Sequence, residues 1–382
     1  MNGRFHPPRR LPVPWGLVGF FLLAGSVEAT LARHDVAFTD GYLSGWGMSR
    51  ESRVREELRR AEVLCLGDSE VKDGVAPRVL ERRLGVRAYN GGVIAGSPPM
   101  TYFILRTALA EGARPAAVLV DFSPHFLARD PLGNAQWGES ARFAELLELA
   151  WTARDPGFFP RTAAVRLLQS YRRRTQIRRA ALAALRGEPP AGPDELLLAQ
   201  WRNWNVNRGA FLIPNRLQLR TTELDPAVRA DLVPTPWAPH PVNVAYVRRL
   251  LALATGRGIP VYWLLPPVAP HIQAVYDQSG LDARLARFVR NAAAEAPGAV
   301  VLDGRRAGYP QEAFGDPIHL NVFGANAYSL DVAAVISDRR AGRPGPNWAA
   351  LPAYRERPIE DQLEDYSQSW MARRGLPLPV RR

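Results

Sequence analysis

Three side chains in this sequence can together perform nucleophilic catalysis: Ser69, Asp316 and His319. Ser69 ends the tripeptide Gly-Asp-Ser at residues 67–69, whereas Asp316 and His319 stand three residues apart much later in the chain. A serine nucleophile needs a base to take its hydroxyl proton, and that base needs an acceptor that orients it and stabilises its cation. Taken alone, the Asp and the His are more simply explained as a helix cap and a surface side chain. In combination with Ser69 they predict a catalytic triad.

The elements that must position these residues follow from hydrophobic periodicity. Short apolar segments alternate with amphipathic ones, which predicts βαβ units and a parallel sheet. The predicted strands are residues 63–66, 87–89, 117–122, 261–265 and 300–302. The predicted helices are residues 75–84, 102–111, 243–257, 281–294 and 324–336. Ser69 directly follows the first strand, and ligand sites of open parallel sheets lie at the carboxyl ends of their strands.

These residues resemble the SGNH (GDSL) hydrolase superfamily. Its blocks are a Gly-Asp-Ser after the first strand, a glycine loop after the second, a Gly-x-Asn-Asp after the third and an Asp-x-x-His near the end. Residues 67–69, the glycine-rich segment 90–97 and the Asp-Pro-Ile-His at residues 316–319 match three of these blocks in order. With the strand pattern, the resemblance implies a three-layer α/β/α sandwich of the flavodoxin-like type, with a five-stranded parallel sheet.

The resemblance also implies an oxyanion hole. Its donors would be the Ser69 N–H and a glycine N–H, which we assign to Gly96 with Gly92 as the alternative; a tight turn that needs positive φ explains either glycine equally. The third block departs from the family because Ser-Pro-His-Phe at residues 123–126 replaces the expected asparagine. His125 stands close to that position, where it either donates to the oxyanion or caps the loop.

The chain divides into five segments on this interpretation. Residues 36–138 and 241–338 form the two parts of the α/β domain. Residues 139–240 are a helical and irregular insertion that the resemblance leaves unmatched, and residues 339–382 are an extended, Pro- and Arg-rich C-terminal tail. The Trp-Arg-Asn-Trp at residues 201–204 of the insertion either stacks on a sugar ring or fills a core.

Residues 1–35 are predicted to be an export signal or a membrane anchor. Arginines at positions 4, 9 and 10 precede an apolar stretch over residues 11–27. Ala-Gly-Ser at residues 24–26 suits cleavage of a signal peptide, whereas Trp15 at a membrane boundary suits an uncleaved anchor. Both alternatives place the remaining chain outside the inner membrane, in the cell envelope.

Composition excludes several classes of function. The net charge of +12 is spread along the chain, and the arginine-rich run at residues 172–179 is interpreted as a solvated helix face, so no nucleic-acid partner is expected. Cys65 is the only cysteine and lies in an apolar strand, which excludes an intrachain disulfide. The sequence has no Walker, His-Glu-x-x-His or Gly-x-Ser-x-Gly motif, and we expect neither a metal nor a cofactor.

The function expected from the resemblance is a serine esterase or O-acyltransferase that works through an acyl-Ser69 intermediate. Its substrate would be an acyl ester, in particular an O-acetyl ester, of an envelope carbohydrate. Within the superfamily the chain is most similar to membrane-tethered bacterial envelope proteins of polysaccharide O-acylation, which implies a membrane O-acyltransferase as partner. The alternative is a non-catalytic envelope protein that binds a polysaccharide or such a partner.

Overall fold

A single parallel sheet organises the chain. The computed structural model describes residues 14–33, 45–172, 174–188, 195–214, 225–359 and 362–377. Its strands are β1 (Val63–Leu66), β2 (Ala88–Asn90), β3 (Ala117–Val120), β4 (Val261–Leu265), β5 (Val300–Asp303) and β6 (Trp348–Ala350). Every neighbouring pair is parallel, and the order across the sheet is β2-β1-β3-β4-β5-β6. The predicted α/β class with a parallel sheet is confirmed.

The prediction of five strands is wrong, because the described sheet has six. The sixth strand, β6, comes from the segment that was predicted to be an extended tail, and it pairs with β5 from Trp348 to Ala350. Three residues are too few to show a periodicity, so tertiary contacts decide this strand. The Trp348 indole N–H donates to Asp303 at 3.0 Å, and the Arg290 guanidinium lies 4.6 Å from the Trp348 ring centroid.

Helices make up most of the remaining described residues. They are α1 (Trp15–Arg33), α2 (Gly45–Met48), α3 (Ser52–Arg60), α4 (Ser69–Gly74), α5 (Pro77–Leu84), α6 (Pro98–Ala110), α7 (Pro124–Ala128), α8 (Trp137–Ser140), α9 (Phe143–Ala153), α10 (Phe158–Leu167), α11 (Gln169–Arg172), α12 (Arg174–Leu185), α13 (Glu195–Val206), α14 (Pro226–Leu232), α15 (Pro241–Thr255), α16 (Pro270–Gln278), α17 (Leu281–Ala294), α18 (Val322–Arg340) and α19 (Tyr366–Arg373), with short 3-10 turns at Pro131–Gly133 and Gln311–Ala313. The sequence predicts the first and last residues of β1, β4 and α17 correctly. It does not predict α4.

Strands β1, β3 and β4 are buried and read as continuous apolar runs, as in parallel sheets covered by helices. Cys65 is fully buried within β1, as its apolar context predicts, and burial raises the pKa of its thiol. Helix α5 packs on α18, and α6 packs on α15. Helix α4 contacts both β1 and α18, the two elements that flank the predicted triad residues.

The insertion is built into the fold rather than appended to it. Three backbone hydrogen bonds, each 2.9 Å long, join its last part to the α/β domain: the Asn90 N–H donates to Arg208, the Phe211 N–H to Lys72, and the Val322 N–H to Ile213. Residues 208–213 therefore contact the edge of the sheet, α4 and the start of α18. We call this segment the brace.

The Trp-Arg-Asn-Trp motif at residues 201–204 serves packing in this structure. Trp204 is fully buried, and its ring lies 4.4 Å from the ammonium nitrogen of Lys72, the only lysine of the chain. Arg202 forms a two-bond ion pair with Glu364, at 2.7 and 2.9 Å. The same region thus ties the C-terminal segment, including α19, to α13.

The N-terminal segment is described in part. Helix α1 covers most of the predicted apolar stretch, and its large apolar side chains are largely exposed. Residues 1–13 and 34–44 lie outside the described residues. Among the residues that are described, no helix combines the length and apolar character needed to cross a membrane.

Gly67 is a position in the fold where a side chain is poorly tolerated. Its φ is +153°, and an ideal Cβ there would lie 2.5 Å from the carbonyl oxygen of Asp121. We expect Gly67→Ala to destabilise the protein by about 1–3 kcal/mol, because the backbone of β3 must move away. The melting temperature in thermal unfolding measures this loss of stability. Gly133→Ala is the matched control, since no atom lies within 4 Å of its Cβ position and its φ is not in the left-handed range. Equal melting temperatures for the two variants would contradict the argument.

Candidate active site

The three residues predicted from the sequence meet in one hydrogen-bonded chain. His319 Nε2 lies 2.8 Å from Ser69 Oγ, and His319 Nδ1 lies 2.6 Å from Asp316 Oδ2. In the neutral imidazole with Nδ1 protonated toward the carboxylate, Nε2 is left as an acceptor for the serine hydroxyl. The arrangement has the order that nucleophilic catalysis by serine requires.

Local structure fixes each member of this chain. Ser69 is the first residue of α4, directly beyond β1. The other carboxylate oxygen of Asp316 accepts the backbone N–H groups of Ile318 and His319 at 3.0 and 2.9 Å, so Asp316 and His319 belong to one tight turn. The Gly315 N–H closes that turn by donating to the His319 carbonyl at 2.9 Å. The spacing of three residues is what lets one loop supply both base and orienting acid.

Asp68 joins the loops that follow the two central strands. One of its carboxylate oxygens accepts the Glu70 N–H at 2.9 Å and caps α4. The other accepts the Ser123 N–H at 2.8 Å and the Ser123 hydroxyl at 2.6 Å. Ser69 therefore directly follows Asp68, which is hydrogen-bonded both to the loop after β3 and to the first turn of α4. The sequence order reverses between β1 and β3, which is where open α/β sheets bind their ligands.

The predicted oxyanion donors differ in their availability. The Ser69 N–H has no acceptor among the described residues, as expected for the first residue of a helix. The Gly96 N–H donates to Val93 at 2.9 Å, and the Gly92 N–H donates to the Asn90 side chain at 2.9 Å. Both glycine N–H groups are therefore engaged in turns, and only Ser69 presents an unused one.

His125 lies just beyond β3, on α7, and is 4% exposed. Its ring centroid lies 4.1 Å from that of Phe126, and its Nδ1 is buried without a partner among the described residues. Burial, together with the positive charge of Arg129, lowers the pKa of His125 to about 3. The imidazole is therefore neutral near pH 7 and has a single N–H to donate.

The charge state of His319 is set by its carboxylate neighbours. Burial works to lower the pKa of His319, but the charge and hydrogen bond of Asp316 and the charge of Asp73 raise it to about 9. Burial conversely works to raise the pKa of Asp316, and the charge and hydrogen bonds of His319 lower it overall. At neutral pH the resting pair is thus an imidazolium and a carboxylate.

Asp73 is the residue of this site that sequence reasoning missed. Its Oδ2 lies 3.8 Å from His319 Nε2, its Oδ1 is buried without a partner among the described residues, and burial raises its pKa to about 7. Asp73 stands four residues after Ser69, which is one helical turn, so recognition of α4 would have placed it beside the nucleophile. The segment was instead predicted to be a loop.

A second group of buried polar side chains adjoins the triad. Glu70, Asp121, Gln273 and Tyr276 line a cavity beyond β3 and β4, and each has a buried oxygen without a partner in the described part of the chain. Burial raises the pKa of Glu70 and of Asp121 well above their usual range. No group of three or more His, Cys, Asp and Glu side chains in the described ranges is placed to hold a metal ion.

Comparison with known proteins adds no assignment to this geometry: no protein-family model and no curated protein sequence matches the chain. The chemistry of the site is therefore argued from the residues themselves.

The contribution of Asp73 to the charge on His319 can be measured directly. Removing a negative charge 3.8 Å from Nε2 disfavours the imidazolium, so we expect Asp73→Asn to lower the pKa of His319. NMR titration of the imidazole nitrogens reports this pKa without any assay of activity. Asp338→Asn, at the exposed far end of α18, is the control and should leave the pKa unchanged. An unshifted His319 pKa in Asp73→Asn would show that Asp73 does not contribute to it.

Proposed function

We propose that this protein is a serine esterase or O-acyltransferase of the SGNH type, acting through an acyl-Ser69 intermediate. The observation that carries the proposal is the unbroken hydrogen-bonded chain from Asp316 through His319 to Ser69, at 2.6 and 2.8 Å. The motif resemblance supports the same conclusion, because the nucleophile block, glycine block and Asp-x-x-His block follow the strands in the family's order.

In the proposed first step, neutral His319 takes the hydroxyl proton of Ser69 at Nε2 while Ser69 Oγ bonds to the ester carbonyl carbon. Asp316 holds the opposite nitrogen and stabilises the imidazolium that forms. The tetrahedral intermediate then releases the alkoxy group, which takes the proton from His319 and leaves an acyl-Ser69 ester. Water or a sugar hydroxyl attacks that ester by the reverse sequence, so that hydrolysis and transfer differ only in the acceptor.

The developing oxyanion needs donors already in place. Ser69 supplies its unused N–H. Gly96 is proposed from the family pattern. It contributes only if its N–H breaks the hydrogen bond to the Val93 carbonyl and donates to the substrate oxygen instead. His125 remains the proposed third donor in place of the family's asparagine.

We infer further that the sheet is the middle layer of a three-layer α/β/α sandwich of the flavodoxin-like type. The first five strands have the order 2-1-3-4-5 of that fold. Burial of β1, β3 and β4 along their whole length supports helices on both faces, and the pairs α5–α18 and α6–α15 are the candidates for the two outer layers.

The proposed substrate is an acyl ester, in particular an O-acetyl ester, of an envelope carbohydrate. Its support is the arginine-flanked apolar N-terminal stretch, which is typical of exported proteins. A membrane O-acyltransferase is the proposed partner on the same grounds. The site itself favours no particular sugar.

A fluorophosphonate probe separates the catalytic proposal from a non-catalytic envelope protein. We expect the probe to label the wild-type chain and Ser337→Ala, the control at the far end of α18, but not Ser69→Ala, because the probe bonds to an activated serine.

His319→Ala should abolish turnover of a small acetyl ester as fully as Ser69→Ala, since the triad acts as a unit. Wild-type kcat/KM should rise with pH toward 9, because the base must be neutral. Labelling that persists in Ser69→Ala would contradict the mechanism.

The proposed donor His125 has its own test. If it donates to the oxyanion, His125→Ala should lower kcat on an activated ester by about 100-fold or more. His125→Asn should recover part of this loss, because it restores an N–H donor. Since the wild-type imidazole is neutral near pH 7, the effect of His125→Ala should be constant from pH 5 to 9. Wild-type rates in His125→Ala would exclude the donor role and leave His125 as a loop residue.

A further inference from the structure

The exposed large apolar side chains of the described chain are concentrated in two segments. One is α1, and the other runs from α9 to α12 within the insertion. Outside these segments, only Leu196, Val228 and Leu376 are exposed in the described ranges. The exposed members from α9 to α12 are Phe143, Leu147, Trp151, Leu167, Leu168, Tyr171, Ile177, Leu182 and Leu185. With the described arginines Arg161, Arg166, Arg174, Arg178, Arg179 and Arg186, we call them the apolar–basic face.

Helix α9 shows that this exposure is patterned. Phe143, Leu147 and Trp151 follow one another at intervals of four residues and so lie on one side of the helix. They are 41%, 53% and 86% exposed, whereas Leu146 and Leu149 on another side are fully buried in the core. A surface helix normally presents polar residues outward, so the outward stripe of α9 marks an interaction surface.

The helices of this face adjoin one another. Helix α9 contacts α10, α10 contacts α11, and α11 contacts both α12 and α1. Glu28 of α1 accepts the Ser170 N–H at 3.0 Å and also the Ser170 hydroxyl. The exposed apolar residues of α1 therefore extend the same region of the molecule.

Charge decides which partner suits this face. Residues 158–187 contain eight arginines and neither Asp nor Glu. Two of these arginines lie over aromatic rings of the face: the Arg166 guanidinium is 5.5 Å from the Phe143 ring centroid, and that of Arg174 is 4.5 Å from the Tyr171 ring centroid. Cations interleaved with aromatic and aliphatic side chains match an anionic phospholipid surface, where phosphates pair with arginine and the acyl region takes the apolar groups.

We propose that the apolar–basic face binds the surface of an anionic phospholipid bilayer. The contact lies in the plane of the interface and needs no segment that crosses the membrane. It gives the insertion a second role beside that of the brace. The proposal does not depend on the reaction catalysed at Ser69.

Single-cysteine labelling tests this contact in the full-length protein. Cys65, the only native cysteine, is fully buried, so a dye will react with an introduced thiol instead. We would attach a polarity-sensitive dye to Trp151→Cys and to Leu185→Cys, with Val228→Cys on α14 as control. With phosphatidylglycerol vesicles we expect a blue shift, and quenching by brominated acyl chains, at positions 151 and 185 but not at 228. Pure phosphatidylcholine vesicles should produce much smaller changes.

The role of charge is tested in the Leu185→Cys background. Adding Arg178→Gln and Arg179→Gln should raise the vesicle concentration for half-maximal quenching about tenfold or more. The matched pair Arg287→Gln and Arg355→Gln, both exposed and outside the apolar–basic face, removes the same charge and should not.

Four results would overturn the proposal. They are an absence of change at positions 151 and 185 with any vesicle, an equal change at position 228, and equal changes with phosphatidylcholine. The fourth is a concentration-dependent shift without vesicles, which would identify a second copy of the chain as the occupant.

Discussion

The hydrogen bond between Ser69 and His319 is the contact that the rest of the candidate site depends on. It joins two residues 250 positions apart at 2.8 Å, so no local interaction can establish it. The parallel sheet does so by bringing loops from distant parts of the chain to the carboxyl ends of its strands. Gly67 allows β1 to approach β3 closely, and Asp68 binds the loops that follow those strands. The brace then contacts both α4 and the start of α18, which makes the insertion part of the framework of the candidate site.

Electrostatics is the second constraint on this site. One imidazole lies beside the carboxylates of Asp316 and Asp73, and burial works to raise the pKa of both carboxyl groups. The charge on His319 offsets that cost for Asp316, whose pKa is lowered, whereas burial still dominates for Asp73. In the proposed mechanism the same carboxylates stabilise the imidazolium that forms when Ser69 attacks, and they also make the resting base harder to deprotonate. Raising the pH toward 9 converts more His319 to the neutral imidazole, which is the form that can accept the proton of Ser69 in the proposed mechanism.

The insertion combines an inner and an outer surface with different chemistry. Its inner part is made of buried side chains such as Trp204 and of backbone hydrogen bonds to the α/β domain. Its outer part exposes aromatic and aliphatic side chains among arginines. A hydrophobic core cannot account for the second surface, since those side chains are not buried.

Much of this molecule could be predicted from sequence because the relevant signals are local. Continuous apolar runs specify β1 and β4, and the three-residue spacing of Asp316 and His319 places both on one turn; the meeting of these residues with Ser69 then follows from the parallel topology. Strand β6 could not be predicted, because three residues carry no periodicity and pairing with β5 decides their conformation. Asp73, the engaged N–H of Gly96 and the neutral state of His125 likewise depend on which groups lie nearby in space. Hydrogen-bond partners and burial are properties of the packed chain, so only the tertiary structure determines them.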